Sequence, residues 1–199
     1  NDEKEFYHCF ATSEHGNIFD FVMKTQNLRF GESVKYLANL AGMQPYIFSK
    51  QDEEREKKWK TYSSIFHKYV NFYHSELLKN DNYFKARDYL KNRSLDKYQV
   101  KKFKIGYVEK NPNFFEKIKN EFKIEDLLET GLIYLDEKKN IYLERFRNRL
   151  IFPINNIAGQ PIALGGRIIE KKDFLAKYIN SPETSFFKKG SNLYNLDLA

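Results

Sequence analysis

Residues 144–154 read Glu144-Arg145-Phe146-Arg147-Asn148-Arg149-Leu150-Ile151-Phe152-Pro153-Ile154. They are followed by Asn155-Asn156-Ile157-Ala158-Gly159-Gln160 and then by Pro161-Ile162-Ala163-Leu164-Gly165-Gly166-Arg167-Ile168. Leu150–Ile154 and Pro161–Leu164 are short apolar runs, and the turn-prone residues between them predict a hairpin. Arg145, Arg147 and Arg149 alternate, so they share one face if the backbone is extended. Gly165-Gly166 stands directly before Arg167, where the lack of Cβ atoms leaves room for another backbone. The expected product is a small rigid sheet that presents fixed guanidinium groups.

Beyond a lysine-rich bend the chain continues Lys177-Tyr178-Ile179-Asn180-Ser181-Pro182-Glu183-Thr184-Ser185-Phe186-Phe187-Lys188-Lys189-Gly190. From Arg145 to Ala199 nine Lys+Arg stand against four Asp+Glu, so this segment carries most of the net charge of +7. Planar guanidinium forks suit phosphate oxygens, and Lys177, Lys188 and Lys189 add point charges. Solvated charges on the surface of an α+β domain would give a similar count. The scarcity of acids, the Gly-Gly-Arg and the Asn-Ser-Pro-Glu-Thr turn tip the reading toward a phosphate binder.

The 199 residues allow one medium domain, or a small one with a larger one. A hydrophobic share of 41%, with 17% aromatic, is ample for a core. The charged share of 31% and mean hydropathy of -0.70 place the chain among soluble proteins. A pI near 9.2 points to an acidic polymer as partner. No apolar run approaches the roughly 20 residues needed to cross a bilayer. No signal-peptide pattern is present, and the single cysteine rules out a disulfide framework. A cytoplasmic protein with no membrane partner is expected.

Taken in order, residues 1–44 form a first unit. Phe6–Phe10 reads as a strand, Ser13–Asn17 as a turn, and Ile18, Phe19, Phe21 and Val22 as one face of a helix capped by Asn17. A second helix over Glu32–Ala41 is closed by Gly42. Residues 45–58 are a linker, or their charged run Gln51–Lys58 is the solvated start of the next helix. From Trp59 the aromatic residues Trp59, Tyr62, Phe66, Tyr69 and Tyr73 recur at helical spacing, which predicts a core-facing stripe. Further helices are expected over Tyr83–Lys91, after a Ser94 cap, and over Phe114–Phe122 and Ile124–Leu128. Gly131–Tyr134 and Ile141–Leu143 flank a polar loop and predict a second hairpin.

Arg145–Ile154, Gly165-Gly166-Arg167, Lys177–Thr184, Phe187-Lys188-Lys189-Gly190 and Leu193-Tyr194-Asn195-Leu196 together resemble the signature of bacterial DNA primase. The resemblance runs upstream through Ala86–Arg93, Phe103–Tyr107 and Tyr7-His8-Cys9-Phe10, and covers nearly the whole chain. It implies a DNA-directed RNA polymerase that lays short RNA primers on single-stranded DNA in replication. It also implies an α+β architecture: a zinc-ribbon remnant over 1–44, a tether, and the N-terminal, template-binding subdomain of the polymerase core over 59–199. Arg145, Arg147, Arg149 and Arg167 would hold template phosphates. Lys177 and Lys189 would contact the template or an incoming ribonucleoside triphosphate, with Asn180, Ser181 and Thr184 as neutral hydrogen-bonding groups. Arg93 is a further candidate for the basic surface.

In that family a Cys-x-x-Cys pair completes a four-ligand Zn²⁺ site; Cys9 fits its first position and Thr12 stands at the second. Either His8 or His15 substitutes, or Cys9 is a small buried hydrophobe and no zinc is held. Nucleotidyl transfer needs clustered carboxylates that hold Mg²⁺, and no Asp-x-Asp occurs. By resemblance those carboxylates belong to a Toprim fold beyond Ala199, and the replicative helicase is engaged by a C-terminal domain further on. This piece is therefore expected to bind template without making primer. A stand-alone single-strand binder without catalysis, and a basic protein-interaction module, are the alternatives.

Overall fold

The computed structural model describes residues 6–43, 49–170 and 175–198. Two compact units divide between Glu56 and Lys57.

In the first unit β1 (Tyr7–His8) pairs antiparallel with β2 (His15–Gly16), Tyr7 opposite Gly16 and His8 opposite His15. The strand is thus shorter than expected, and β2 lies inside the stretch expected to be all turn. The reversal falls earlier, and Ser13 takes a φ of 59° in it. Asn17 caps α1 (Ile18–Gln26) as expected: its Oδ1 accepts from the N–H groups of Phe19 and Asp20. The Asp20 carboxylate accepts in return from Asn17 N at 2.9 Å, closing a capping box. A Cβ at Gly16 would stand 2.5 Å from Asp20 Cβ, so glycine is needed for this cap to form. At the start of α2 (Phe30–Leu40) the Glu32 carboxylate accepts from Arg29 N at 2.8 Å and from Arg29 Nη2 at 3.2 Å.

The long helix α3 (Lys50–Lys79) begins just before the charged run, so Gln51–Lys58 is helical. The first residues of the expected linker lie outside the described ones. Farther along α3, Tyr62, Phe66, Tyr69 and Tyr73 are buried, as the stripe predicts. α4 (Phe84–Lys91) and α5 (Lys97–Lys102) follow. Asp96, not Ser94, caps α5: Gln99 N donates to its carboxylate at 2.8 Å, and Gln99 Oε1 accepts from Asp96 N. Ser94 instead takes a φ of 60° in the preceding turn, which removes it from the extended conformation a cap requires.

The remaining elements are β3 (Gly106–Val108), α6 (Phe114–Ile118), α7 (Ile124–Glu129), β4 (Ile133–Asp136), β5 (Ile141–Glu144), β6 (Arg149–Asn155), β7 (Pro161–Ile168) and β8 (Tyr178–Asn180). β4 and β5 form the expected second hairpin. β3, β6, β7 and β8 form an antiparallel sheet in the order β3-β6-β7-β8, built around the expected β6–β7 hairpin.

Register divides this sheet into two faces. One face carries Val108, Ile151 and Leu164 and packs on Tyr62, Phe66, Tyr69 and Tyr73 of α3. Gly106 lies on that side, and a Cβ there would stand 3.0 Å from the α3 backbone. The other face carries Tyr107, Leu150 and Phe152, covered by Ala86, Leu90 and Val100 of α4 and α5. Among the described residues the helices reach only part of that second face, and Tyr178 and Asn180 at its β7–β8 end are exposed.

Glu144 is buried at the end of β5 with 2% of its surface exposed. It accepts from the Tyr73 hydroxyl at 2.5 Å and from Phe115 N at 3.0 Å. Burial pushes its carboxyl above the usual range even though these hydrogen bonds pull the other way.

Candidate nucleic-acid interface

The arginine row does not form the single face that alternation predicts. Residues 145–148 are a turn between β5 and β6, and Asn148 takes a φ of 58° there. Arg145 donates from Nε to the Gly131 carbonyl at 2.7 Å and lies 5.5 Å from the Tyr134 ring centre. Arg147 donates to the Tyr134 hydroxyl at 3.1 Å. These two gather on Tyr134 of the β4–β5 hairpin.

Arg149 goes elsewhere. It stands opposite Ile168 on the α3 side of the sheet, 6% exposed, and donates to the Lys177 carbonyl at 3.3 Å. Burial alone holds its guanidinium below the usual arginine range. Arg149 is therefore a packed group that ties β6 to the start of β8, and it is not part of an exposed row.

Arg167 pairs with Leu150 and lies on the opposite, open face. Its guanidinium sits between two rings, 5.4 Å from the Tyr89 centre and 5.0 Å from that of Tyr178, and it donates to the Tyr178 hydroxyl. The Arg93 guanidinium lies 5.6 Å from the same Tyr89 centre, and Lys177 Nζ 5.7 Å from that of Tyr178. Five residues thus alternate cation and ring: Arg93, Tyr89, Arg167, Tyr178, Lys177. Arg167 Nε is a buried donor with no partner among the described residues. Such orphan donors are rare and call for a ligand or ordered water.

Beside this stack the same face opens into a cleft of about 290 Å³ lined by Phe152, Ile154, Gly165, Asn180, Phe187, Lys189, Asn192 and Tyr194. Gly165 forms part of its floor next to Asn180. The role expected for the Gly-Gly pair, room for another backbone, is met differently. A Cβ on Gly166 would stand 2.5 Å from the Phe146 ring and 3.2 Å from Arg149 Cδ, so the space is taken by side chains.

Ser181 and Thr184 are used internally. Ser181 Oγ accepts from Leu164 N at 3.0 Å, and Thr184 Oγ1 meets the Tyr62 hydroxyl at 2.9 Å and accepts from Phe187 N. Lys177, Asn180 and Lys189 are exposed. No carboxylate of the described residues lies within ion-pair distance of Arg145, Arg147, Arg149, Arg167, Lys177 or Lys189. Tyr89 and Tyr178 are the residues sequence reading missed, because only the strand register and the packing of α4 bring them to Arg167.

A family model for the DNA primase catalytic core, N-terminal domain, matches residues 72–199. The chain belongs to the DNA primase family. A CHC2 zinc finger model matches residues 1–54. The DNA primase of Clostridium acetobutylicum is 37% identical over 202 residues, 100% of this chain and 33% of the relative. That of Buchnera aphidicola is 37% identical over 205 residues, 98% of this chain and 34% of the relative. The chain thus spans about a third of the length of these primases.

Among solved structures, the RNA polymerase domain of Mycobacterium tuberculosis primase was determined in complex with a double-stranded DNA oligomer with a 6-nucleotide overhang. It matches with a TM-score of 0.64 at 31% identity, over 70% of this chain and 44% of that one. A primase catalytic domain bound to single-stranded DNA matches at 0.63 and 28%, over 71% and 44%. The zinc-binding and RNA polymerase domains of Aquifex aeolicus primase match at 0.61 and 29%, over 98% and 46%.

The zinc-finger match implies zinc, but the donors present do not fit a structural site. A closed zinc site takes four Cys or His ligands, and Thr12 occupies the position three residues after Cys9. Among the described residues no group of three or more His, Cys, Asp or Glu is placed to hold a metal ion.

Proposed function

We propose that this chain is the template-holding part of a DNA primase and that single-stranded DNA runs along the open face of the β3-β6-β7-β8 sheet. The carrying observation is Arg167, clamped between Tyr89 and Tyr178 with one donor unpaired, beside a cleft edged by Asn180 and Lys189. Aromatic faces stack bases of any sequence, and cations beside them take up the backbone. Phosphate contacts of this kind give affinity and register with little sequence choice. The solved primase domains with bound DNA support the reading.

Within it, Arg167, Lys177 and Lys189 meet phosphates of the template or of an incoming ribonucleoside triphosphate, and Asn180 adds a neutral hydrogen bond. Arg145 and Arg147 extend the basic surface around Tyr134. Arg149 supports β8 from behind. Primer synthesis on DNA is the activity of the whole protein, in the cytoplasm and alongside the replicative helicase. Mg²⁺ supplies the charge neutralisation for nucleotidyl transfer, and we assign it to carboxylates of a Toprim fold, since the face described here is cationic.

The test is binding of a labelled single-stranded oligonucleotide across a salt series. Affinity should fall as salt rises. Arg167→Ala with Lys189→Ala should flatten the log–log slope by about 0.7 for each phosphate that is no longer neutralised. A double variant that binds like the parent at every salt concentration overturns the assignment.

A further inference from the structure

The zinc-ribbon match and the chemistry of the β1–β2 hairpin disagree, and the disagreement is informative in its own right, independent of the template reading. We infer that this hairpin is a zinc knuckle that works without zinc: the Thr12 side chain takes the place of a metal-binding thiolate, and hydrogen bonds do the tethering a metal would do.

The Cys-x-x-Cys spacing of zinc knuckles is preserved as Cys9-Phe10-Ala11-Thr12, and residues 1–54 match a zinc-finger family. A threonine hydroxyl stays protonated and neutral, so it cannot replace a thiolate in a closed zinc site. The histidines do not repair the loss. His8 and His15 are cross-strand partners with rings 6.2 Å apart, so both stand on one face of the hairpin. Cys9 follows His8 just beyond the paired strand residues. His15 Nδ1 also lies 3.3 Å from the Ser13 carbonyl. Among the described residues neither histidine joins Cys9 in a group of three or more metal-binding side chains, so nothing in the geometry favours the substitution of either histidine for the missing ligand, one of the readings of the sequence.

What remains is a tether of ordinary bonds. Cys9 N donates to the Glu14 carbonyl at 2.7 Å, and Glu14 N to Thr12 Oγ1 at 3.4 Å. Hydrogen bonding from Thr12 and from the N–H of Ala11 holds the Cys9 thiol below its ordinary range. A hydroxyl stands where a second thiolate would close the metal site. Glu14 then pairs with Lys24 of α1 at 3.1 Å, and the Tyr7 ring meets that of Phe21 edge-on at 5.2 Å. These contacts fasten the hairpin to α1 without any metal.

The experiment uses the full-length protein: zinc content by plasma mass spectrometry, and thermal melting with and without a strong chelator. The parent should carry far less than one zinc per chain, and its midpoint should not move with chelator. Thr12→Cys should take up stoichiometric zinc and become chelator-sensitive. Thr12→Val should leave the zinc content unchanged while the Glu14 amide, which loses the Thr12 hydroxyl as acceptor, exchanges with solvent roughly fivefold faster, the loss of about one hydrogen bond. Stoichiometric zinc in the parent with a midpoint that drops on chelation overturns the inference. So does a Thr12→Cys protein that gains no zinc, or a Thr12→Val protein whose Glu14 amide exchanges as in the parent.

Discussion

Arg149 and Arg167 stand on neighbouring rungs of the same pair of strands, yet they live in different solvents. The first pairs with Ile168 and is sealed against α3 with a carbonyl for company. The second pairs with Leu150 and lies on the open face, held flat between two tyrosine rings. The residue type is the same and the strand pair is the same; one step of register separates a packed cation from one that can receive a ligand. A basic residue in a strand thus acquires its role from the parity of its rung, because successive side chains alternate between faces.

The sharpest way to break this comparison is to remove the member held between the tyrosines. Arg167→Ala should weaken single-stranded DNA binding roughly tenfold to a hundredfold, the range for removing hydrogen bonds to a charged group. Anisotropy titrations at fixed salt would read it, and an unchanged affinity would erase the distinction between the two arginines. Next in size, Tyr178→Ala and Tyr89→Ala should each cost about 1 kcal/mol or more of binding if bases stack on this platform. Tyr178→Phe should retain most of the affinity, because the ring persists. Equal losses for the phenylalanine and alanine variants would assign the effect to the hydroxyl instead.

The buried member gives the converse. Arg149→Met should leave the salt dependence of DNA binding at the parental slope and change stability by about 1 kcal/mol at most, as one modest hydrogen bond disappears and a buried charge is relieved. A flattened salt slope in this variant would return Arg149 to the set of phosphate contacts. The smallest effect concerns the sealed side as a whole. Burial raises the Glu144 carboxyl in the folded state, so the protein holds that proton more tightly folded than unfolded. This contribution is fully present below the unfolded pKa and is lost as pH rises through the folded one. Urea midpoints should therefore show the parent gaining on Glu144→Gln as pH falls from neutral toward the unfolded carboxyl range. A pH-independent difference would mean that folding leaves the affinity of Glu144 for its proton unchanged, against the burial argument.

Much of this fold could be read from periodicity. The aromatic stripe of α3, both hairpins and the Asn17 cap follow from spacing and from the turn chemistry between apolar runs. Where the reading failed, a local competitor decided the outcome. Asp96 displaced Ser94 at the start of α5 because its carboxylate and Gln99 close a reciprocal cap. The alternation of Arg145, Arg147 and Arg149 suggested a strand, but the left-handed Asn148 makes it a turn. The site was legible as a region and not as a geometry. Arg167, Lys177, Asn180 and Lys189 follow from composition and family likeness. The clamp around Arg167 joins β7 to Tyr89 of α4, 78 residues upstream of it, and no local pattern encodes that meeting.

Gly166 carries a consequence of its own. The Phe146 ring fills the place where its side chain would be, and Phe146 is flanked by Arg145 and Arg147 while Gly166 precedes Arg167. Adding a single methyl group there would force the Phe146 ring to shift, and the turn that carries Arg145 and Arg147 would have to follow, without altering any charge. An uncharged residue on the far side of the sheet thus helps to set where two cations of this surface stand.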